Sequence, residues 1–108
     1  MTWTISHGRP NPGGMYDGYH SRSYGEVGEW RDALLSLPLS ARDAAILRPL
    51  TQRRNGDPFT VEPRRAAAIA GILRQNLGRM PRGLREMTET LADAAERASA
   101  ANQPWRWS

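Results

Sequence analysis

The chain has 108 residues and a formal net charge of +4, with 39% hydrophobic and 7% aromatic residues, which fits one compact domain over residues 1–108 with a single modest core. It has no cysteine, which excludes a disulfide framework and a cysteine zinc site, and its longest apolar run, residues 66–73, is far too short to cross a membrane. The sequence does not open with a basic segment followed by an apolar run, so we expect no signal peptide and a cytoplasmic protein.

The first residues predict a strand followed by a long loop. Residues 2–6 alternate between apolar and polar side chains, which is typical of a short strand. Residues 8–22 are rich in glycine and proline, which interrupt regular structure, so we expect a loop of that length. Loops this long are uncommon in compact domains, and most of them are functional or disordered.

Two helices are predicted next. Ser23 and Glu26 have the spacing of a capping box, in which each side chain bonds to the other residue's backbone N–H. Apolar residues at helical spacing follow, and Pro38 ends the pattern. Ser40 predicts the N-cap of a second helix, and Pro49 predicts a kink or break near Arg48.

Another extended segment and two further helices complete the pattern. Residues 58–63 read as extended, and Pro63 suits the first position of a helix that runs to about Leu77. Gly71 lies inside this helix, where glycine is unfavourable, so we expect it to permit a close contact between helices. A fourth helix is predicted within residues 81–102.

The last residues alternate like the first. Trp105 and Trp107 share one side of a short segment, as Trp3 and Ile5 do at the other end of the chain. We expect the two segments to pair and to close the core, with an exposed stacking platform of tryptophans as the alternative. The predicted fold class is therefore mostly α (α+β), with about four helices packed together and a small sheet formed by the N- and C-terminal strands.

The sequence carries no recognisable catalytic motif. His7 and His20 could act as bases or metal ligands, with Asp17 as a third group, but their spacing matches no known metal site. The nucleophile-elbow, zincin and phosphate-loop motifs are absent. We therefore expect no enzyme, no metal and no cofactor.

The composition of the loop favours recognition of another protein. Tyrosines supply rigid contact area, glycine and serine supply adaptability, and arginine is common at interface hot spots. The alternative is an ordered loop whose tyrosines pack on the domain itself. Our first hypothesis is a non-enzymatic protein-binding protein with a regulatory, accessory or anti-defence role. The predicted partner-binding residues are Arg9, Tyr16, Tyr19, His20 and Arg22.

The basic residues support a second hypothesis. All fifteen are arginine, and residues 41–82 hold nine of them against three acidic residues. This segment could bind DNA or RNA without sequence specificity, with Arg53, Arg54, Arg64 and Arg65 as the phosphate-binding residues. Its predicted helices are too far apart in sequence for a helix-turn-helix. The alternative is a solvated surface whose arginine content reflects the codon bias of a GC-rich genome.

Several segments resemble a known family. The sequences "WTISHG", "SRSYGEV", "GDPFTVEPRRAAAIAGILR" and "PWRW" look like those of small actinobacterial proteins, found chiefly in Streptomyces and its relatives and sometimes on phages or plasmids. That family has no assigned activity, so the resemblance implies no ligand and no catalytic residue. Residues 9–19 depart most from the family pattern, which fits a variable, partner-specific loop.

Overall fold

The computed structural model describes residues 1–8, 17–52 and 56–108. Within these residues the chain forms four strands and five α-helices. The strands are β1 (Thr2–His7), β2 (Asp17–Ser23), β3 (Phe59–Val61) and β4 (Trp105–Trp107). The helices are α1 (Tyr24–Leu35), α2 (Ala41–Ile46), α3 (Arg48–Thr51), α4 (Pro63–Gln75) and α5 (Arg85–Ala100). Short 3₁₀ turns at Leu77–Arg79 and Arg82–Leu84 connect α4 to α5.

The four strands form one antiparallel sheet in the order β2-β1-β4-β3. Ile5 of β1 lies opposite Trp107 of β4, and Phe59 of β3 lies opposite Trp107 on its other side. The predicted pairing of the first and last strands is therefore confirmed, as is the α+β fold class. β1 and β4 are the central strands, and β2 and β3 are the edges.

Strand β2 corrects the prediction of a loop over residues 8–22, which is wrong for residues 17–22. These residues pair with β1, with Ser21 opposite Thr4 and Arg22 opposite Trp3. The strand has polar side chains on both of its sides, so its sequence lacks the hydrophobic alternation that identifies a half-buried strand. Its hydrogen bonds with β1 determine its conformation instead.

The local signals at the helix starts are confirmed. Ser23 Oγ accepts from the backbone N–H of Glu26 at 3.0 Å, and the Glu26 carboxylate accepts from the N–H of Ser23 at 3.4 Å. Ser40 Oγ accepts from the N–H of Asp43 at 3.1 Å. Pro63 occupies the first turn of α4. These caps satisfy N–H groups that have no partner inside the helix.

The break expected near Arg48 divides the second predicted helix into α2 and α3. Leu47 is the cap residue between them, and Pro49 lies in the first turn of α3, where its missing N–H costs nothing. The described residues therefore form five α-helices, where about four were expected. Arg48 is the first residue of the short α3.

α5 ends in a Schellman motif that turns the chain into β4. Asn102 adopts a left-handed conformation with φ of 54°. The N–H of Gln103 donates to the carbonyl of Ala98 at 2.9 Å, and the N–H of Asn102 donates to the carbonyl of Ser99 at 2.9 Å. Both bonds satisfy carbonyls left free at the helix end.

The core lies between the helices and one face of the sheet. Trp107 is at its centre, with ring centroids 5.7 Å from Trp3, 5.5 Å from Phe59 and 5.3 Å from Trp105. All four side chains are buried, which overturns the alternative of an exposed stacking platform. α4 and α5 pack along each other and contribute a stripe of buried side chains: Ala66, Ile69, Leu73, Met87, Leu91, Ala95 and Ala98.

Gly71 does not mark a close contact between helices. A Cβ atom at this position would meet no other atom within 4 Å. The expectation that its small size permits such a contact is therefore wrong. The neighbouring stripe of buried residues lies on another face of α4.

Candidate functional site

The register of the sheet separates the residues of β2 onto two faces. His20 lies opposite Ile5, and Arg22 lies opposite Trp3, so both side chains share the helix-facing side with core residues. Tyr19 and Ser21 alternate with them and lie on the opposite face. The predicted partner-binding residues are thus divided between two surfaces. Arg9 and Tyr16 lie outside the described residues.

The side of the sheet away from the core is polar, and we call it the open sheet face. Its members are short hydroxyl side chains, one tyrosine and one arginine: Thr4, Ser6, Tyr19, Ser21, Thr60 and Arg106. Ser6 is buried, and the others are partly or largely exposed. Tyr19 is 50% exposed, and its hydroxyl accepts a hydrogen bond from Ser21 Oγ at 3.3 Å. This bond holds the phenol ring at the outer edge of the sheet, where another molecule can contact it.

β2 is also an edge strand. It pairs with β1 on one side, and none of the described residues forms a strand on the other. An edge strand has backbone N–H and C=O groups that can pair with an additional strand. Tyr19 therefore lies beside a backbone edge that can form hydrogen bonds.

His20 is half-buried between the sheet and the helices. Its Nδ1–H donates to the carbonyl of Gly18 at 3.3 Å. Burial lowers the pKa of His20; the bond to Gly18 opposes this, and the charges of Arg22 and Arg97 add to the lowering. The net effect favours the neutral form of the ring.

The two histidines form hydrogen bonds to different partners. The Nδ1–H of His7 donates to Gln103 Oε1 at 2.8 Å, which orients its ring toward the end of α5. In the part of the chain that the structure describes, no three His, Asp or Glu side chains are placed to hold a metal ion. His7 and His20 therefore have structural hydrogen bonds to nearby residues.

Arg22 is engaged with acidic residues. Its guanidinium lies 3.6 Å from the Glu26 carboxylate. It also lines a groove of about 440 Å³ between α1 and the turn before α5, whose other charged residues are Glu26, Glu29 and Glu86. The carboxylates offset the charge of Arg22, which makes this groove unsuited to an anion.

The predicted phosphate-binding residues are only partly described. Arg64 and Arg65 lie in the first turn of α4, and Arg53 and Arg54 lie outside the described residues. Arg65 lines a cleft with Arg48, one of the nine arginines of the basic segment 41–82, and with Gln52, which the sequence had not singled out. Gln52 and Arg48 precede Arg65 by 13 and 17 positions, so the fold brings the end of α3 and the start of α4 to one cleft. Arg64 lies beside a second depression that also contains Glu62.

These features define a small α+β domain in which helices cover one face of a four-stranded antiparallel sheet and the other face carries polar residues. The chain belongs to the DUF7739 family, a domain of unknown function, whose model matches residues 16–108. Membership of a family without an assigned function was expected from the sequence. The match begins at β2 and does not include β1, a central strand of the sheet. No curated protein and no solved structure matches the chain.

No helix among the described residues combines the length and apolar character that spanning a membrane requires.

Proposed function

We propose that this protein is a non-enzymatic recognition domain that binds another protein through β2 and the adjoining open sheet face. The observation that carries the proposal is the half-exposed Tyr19 on the edge strand. Tyrosine is one of the residues most often found at the energetic centre of protein interfaces. Its ring supplies apolar contact area, and its hydroxyl supplies a hydrogen bond.

The outer edge of β2 supports this proposal. An extended segment of a partner could pair with its seven residues, so that backbone hydrogen bonds provide affinity and side chains on each face provide specificity. The side chains that surround Tyr19 on the open sheet face are short and uncharged, as Ser21 and Thr4 illustrate. A partner would therefore approach the tyrosine without having to displace a charged group from these positions.

The segment of residues 9–16 links β1 to β2 in sequence and carries two further predicted partner-binding residues, Arg9 and Tyr16. It lies within residues 9–19, the part of the chain that departs most from the family pattern, which supports a role in choosing the partner. We further propose an actinobacterial or phage setting with a regulatory, accessory or anti-defence role. The support for this setting is compositional, because all fifteen basic residues are arginine.

The test compares Tyr19→Ser with Leu35→Ser. Leu35 is the matched control because it is 60% exposed and lies at the end of α1, away from the sheet. The wild-type chain is used to capture proteins from the native host. Each captured protein is purified, and its dissociation constant is measured with the wild type, with Tyr19→Ser and with Leu35→Ser. We expect Tyr19→Ser to raise the dissociation constant of a partner by about 30-fold or more, which corresponds to a hot spot of ~2 kcal/mol. Leu35→Ser should leave the affinity within about threefold.

Folding of each variant is checked by circular dichroism and by thermal unfolding. Equal affinity of every captured protein for the Tyr19 and Leu35 variants would show that the open sheet face is not the binding surface.

A further inference from the structure

A basic cleft lies between α3 and the first turn of α4, on a different part of the surface from β2. It has a volume of about 370 Å³ and is lined by Arg48, Pro49, Gln52 and Arg65. We call it the Arg48–Arg65 cleft. Two arginines and a glutamine, whose side chains carry hydrogen-bond donors, line it together with a proline, and no acidic residue is among them.

The guanidinium of Arg65 is held in place by the backbone. Its Nε donates to the carbonyl of Ile46 at 3.3 Å, and its Nη2 donates to the carbonyl of Ala45 at 3.1 Å. These are carbonyls at the end of α2, so the positive group also suits the negative end of that helix. The two bonds use two of the five N–H donors of the side chain and leave Nη1 for a ligand.

Neither arginine of the cleft has a carboxylate of the described residues within 4 Å. Arg74 on α4 is different, because its guanidinium pairs with Asp93 at 2.8 Å and also with Glu96 on α5. Two unneutralised guanidinium groups that share one concave surface attract an anion. Because the Arg65 side chain is already held in one orientation, it loses less conformational entropy when a ligand binds.

We propose that the Arg48–Arg65 cleft binds a phosphate group. Guanidinium groups match the geometry of phosphate oxygens through paired N–H donors, and the Gln52 amide can donate a further hydrogen bond. The phosphate could belong to a free polyphosphate or nucleotide or to the backbone of a nucleic acid, since both present the same oxygens. This binding is independent of the protein recognition proposed for β2.

The experiment measures binding of two probes at about 50 mM and 200 mM salt, the range over which phosphate binding weakens steeply. The probes are a fluorescent single-stranded DNA of mixed sequence and inorganic tripolyphosphate. Arg48→Gln and Arg65→Lys are compared with Arg74→Gln. Arg74→Gln is the matched control, because it removes the same charge as Arg48→Gln from an arginine that already has carboxylate partners.

We expect Arg48→Gln to weaken binding by about tenfold and to lower the salt slope by about one. Arg65→Lys should also weaken it, because lysine keeps the charge but lacks the planar fork. Arg74→Gln should change affinity by less than about twofold. Binding of tripolyphosphate with this variant pattern would identify a free phosphate compound as the source, and binding of DNA alone would identify the nucleic-acid backbone.

Three results would overturn the proposal: no binding of either probe at the lower salt, an equal loss in Arg48→Gln and Arg74→Gln, or full affinity in Arg65→Lys. The second result would mean that DNA responds to the overall positive charge. Thermal unfolding of each variant, with Arg48→Gln as the substitution that breaks no backbone bond, separates loss of binding from loss of folding. Tyr19→Ser should bind both probes normally, so the two proposals fail separately.

Discussion

The indole of Trp30 donates its N–H to the hydroxyl of Thr88 at 3.0 Å, and both side chains are fully buried. The Thr88 hydroxyl in turn donates to the carbonyl of Leu84 at 2.7 Å. This relay connects the middle of α1 to the first turns of α5. A buried hydrogen bond between two helices also favours the one relative orientation of the helices in which the bond can form.

The relay predicts that Thr88→Val destabilises the protein by about 1–3 kcal/mol, because valine has the shape of threonine but leaves the buried indole N–H without an acceptor. Urea unfolding followed by tryptophan fluorescence measures this loss. The control repeats the substitution in a Trp30→Phe background, which has no N–H to leave unpaired. There Thr88→Val should cost clearly less, and an equal cost in both backgrounds would show that the hydrogen bond contributes nothing.

A second prediction concerns Gly18, at the start of β2. Its φ is +63°, a conformation that costs an L-residue roughly 1–2 kcal/mol, and a Cβ atom there would lie 2.7 Å from Cδ2 of His7. Gly18→Ala should therefore lower the free energy of unfolding by at least about 1 kcal/mol, measured by denaturant titration. A variant as stable as the wild type would contradict the close packing of the His7 ring on this glycine.

Gly71 predicts a change of opposite sign. It lies inside α4, and a Cβ atom there meets nothing within 4 Å. Alanine is better than glycine in a helix interior by about 0.5–1 kcal/mol, so Gly71→Ala should raise the free energy of unfolding by that amount. The same denaturant titration measures it. A loss of stability would instead support the close helix contact that the sequence had suggested.

The contrast between α1 and β2 explains how much of the fold the sequence could predict. The start of α1 depends on Ser23 and Glu26, which are three positions apart. Because both residues lie within one short segment, the sequence alone predicts this helix start. The end strands were predictable because Trp3 and Trp107 alternate with polar residues. β2 has His20 on one side and Tyr19 on the other, and no apolar period distinguishes it from a loop.

The candidate sites were harder to predict for the same reason. Tyr19 was expected to contact a partner, but its separation from His20 and Arg22 follows from pairing with β1 and has no signature in the sequence. Arg48 and Arg65 come from two elements whose relative placement depends on the packing of α3 against its neighbours. Proximity of this kind is a tertiary property that spacing along the chain does not encode.

The fourth prediction tests the last strand. Trp107 is buried at the centre of the sheet and packs against three aromatic rings. Trp107→Ala should cost about 3–5 kcal/mol, a large part of the total stability of a small domain. Deletion of residues 105–108 removes a central strand and should abolish cooperative unfolding. The exposed Leu35 is the control, since Leu35→Ala should stay within about 0.5 kcal/mol of the wild type.

The outcome is read from thermal and urea unfolding. A melting temperature left unchanged by the deletion would mean that β4 does not close the core.

The fifth prediction is a dependence of stability on pH through His20. Burial lowers the pKa of its imidazole in the folded protein below the ordinary value of 6.5. As the pH falls through 6.5, His20 becomes protonated in the unfolded chain before it does in the folded protein. The free energy of unfolding therefore decreases until the pH passes below the lowered pKa of His20 in the folded protein. Well above pH 6.5 the ring is neutral in both states and contributes no pH dependence.

Replacing His20 by glutamine removes the titrating group. We therefore expect the wild type to lose more stability than His20→Gln between about pH 7.5 and pH 5, where histidine is the side chain that titrates. Melting temperatures of both proteins at the two pH values give the comparison, and the difference between the proteins cancels the contribution of the carboxylates. Parallel losses in the two proteins would mean that His20 has the same pKa in the folded and unfolded chains, contrary to its half-buried position beside Arg22 and Arg97.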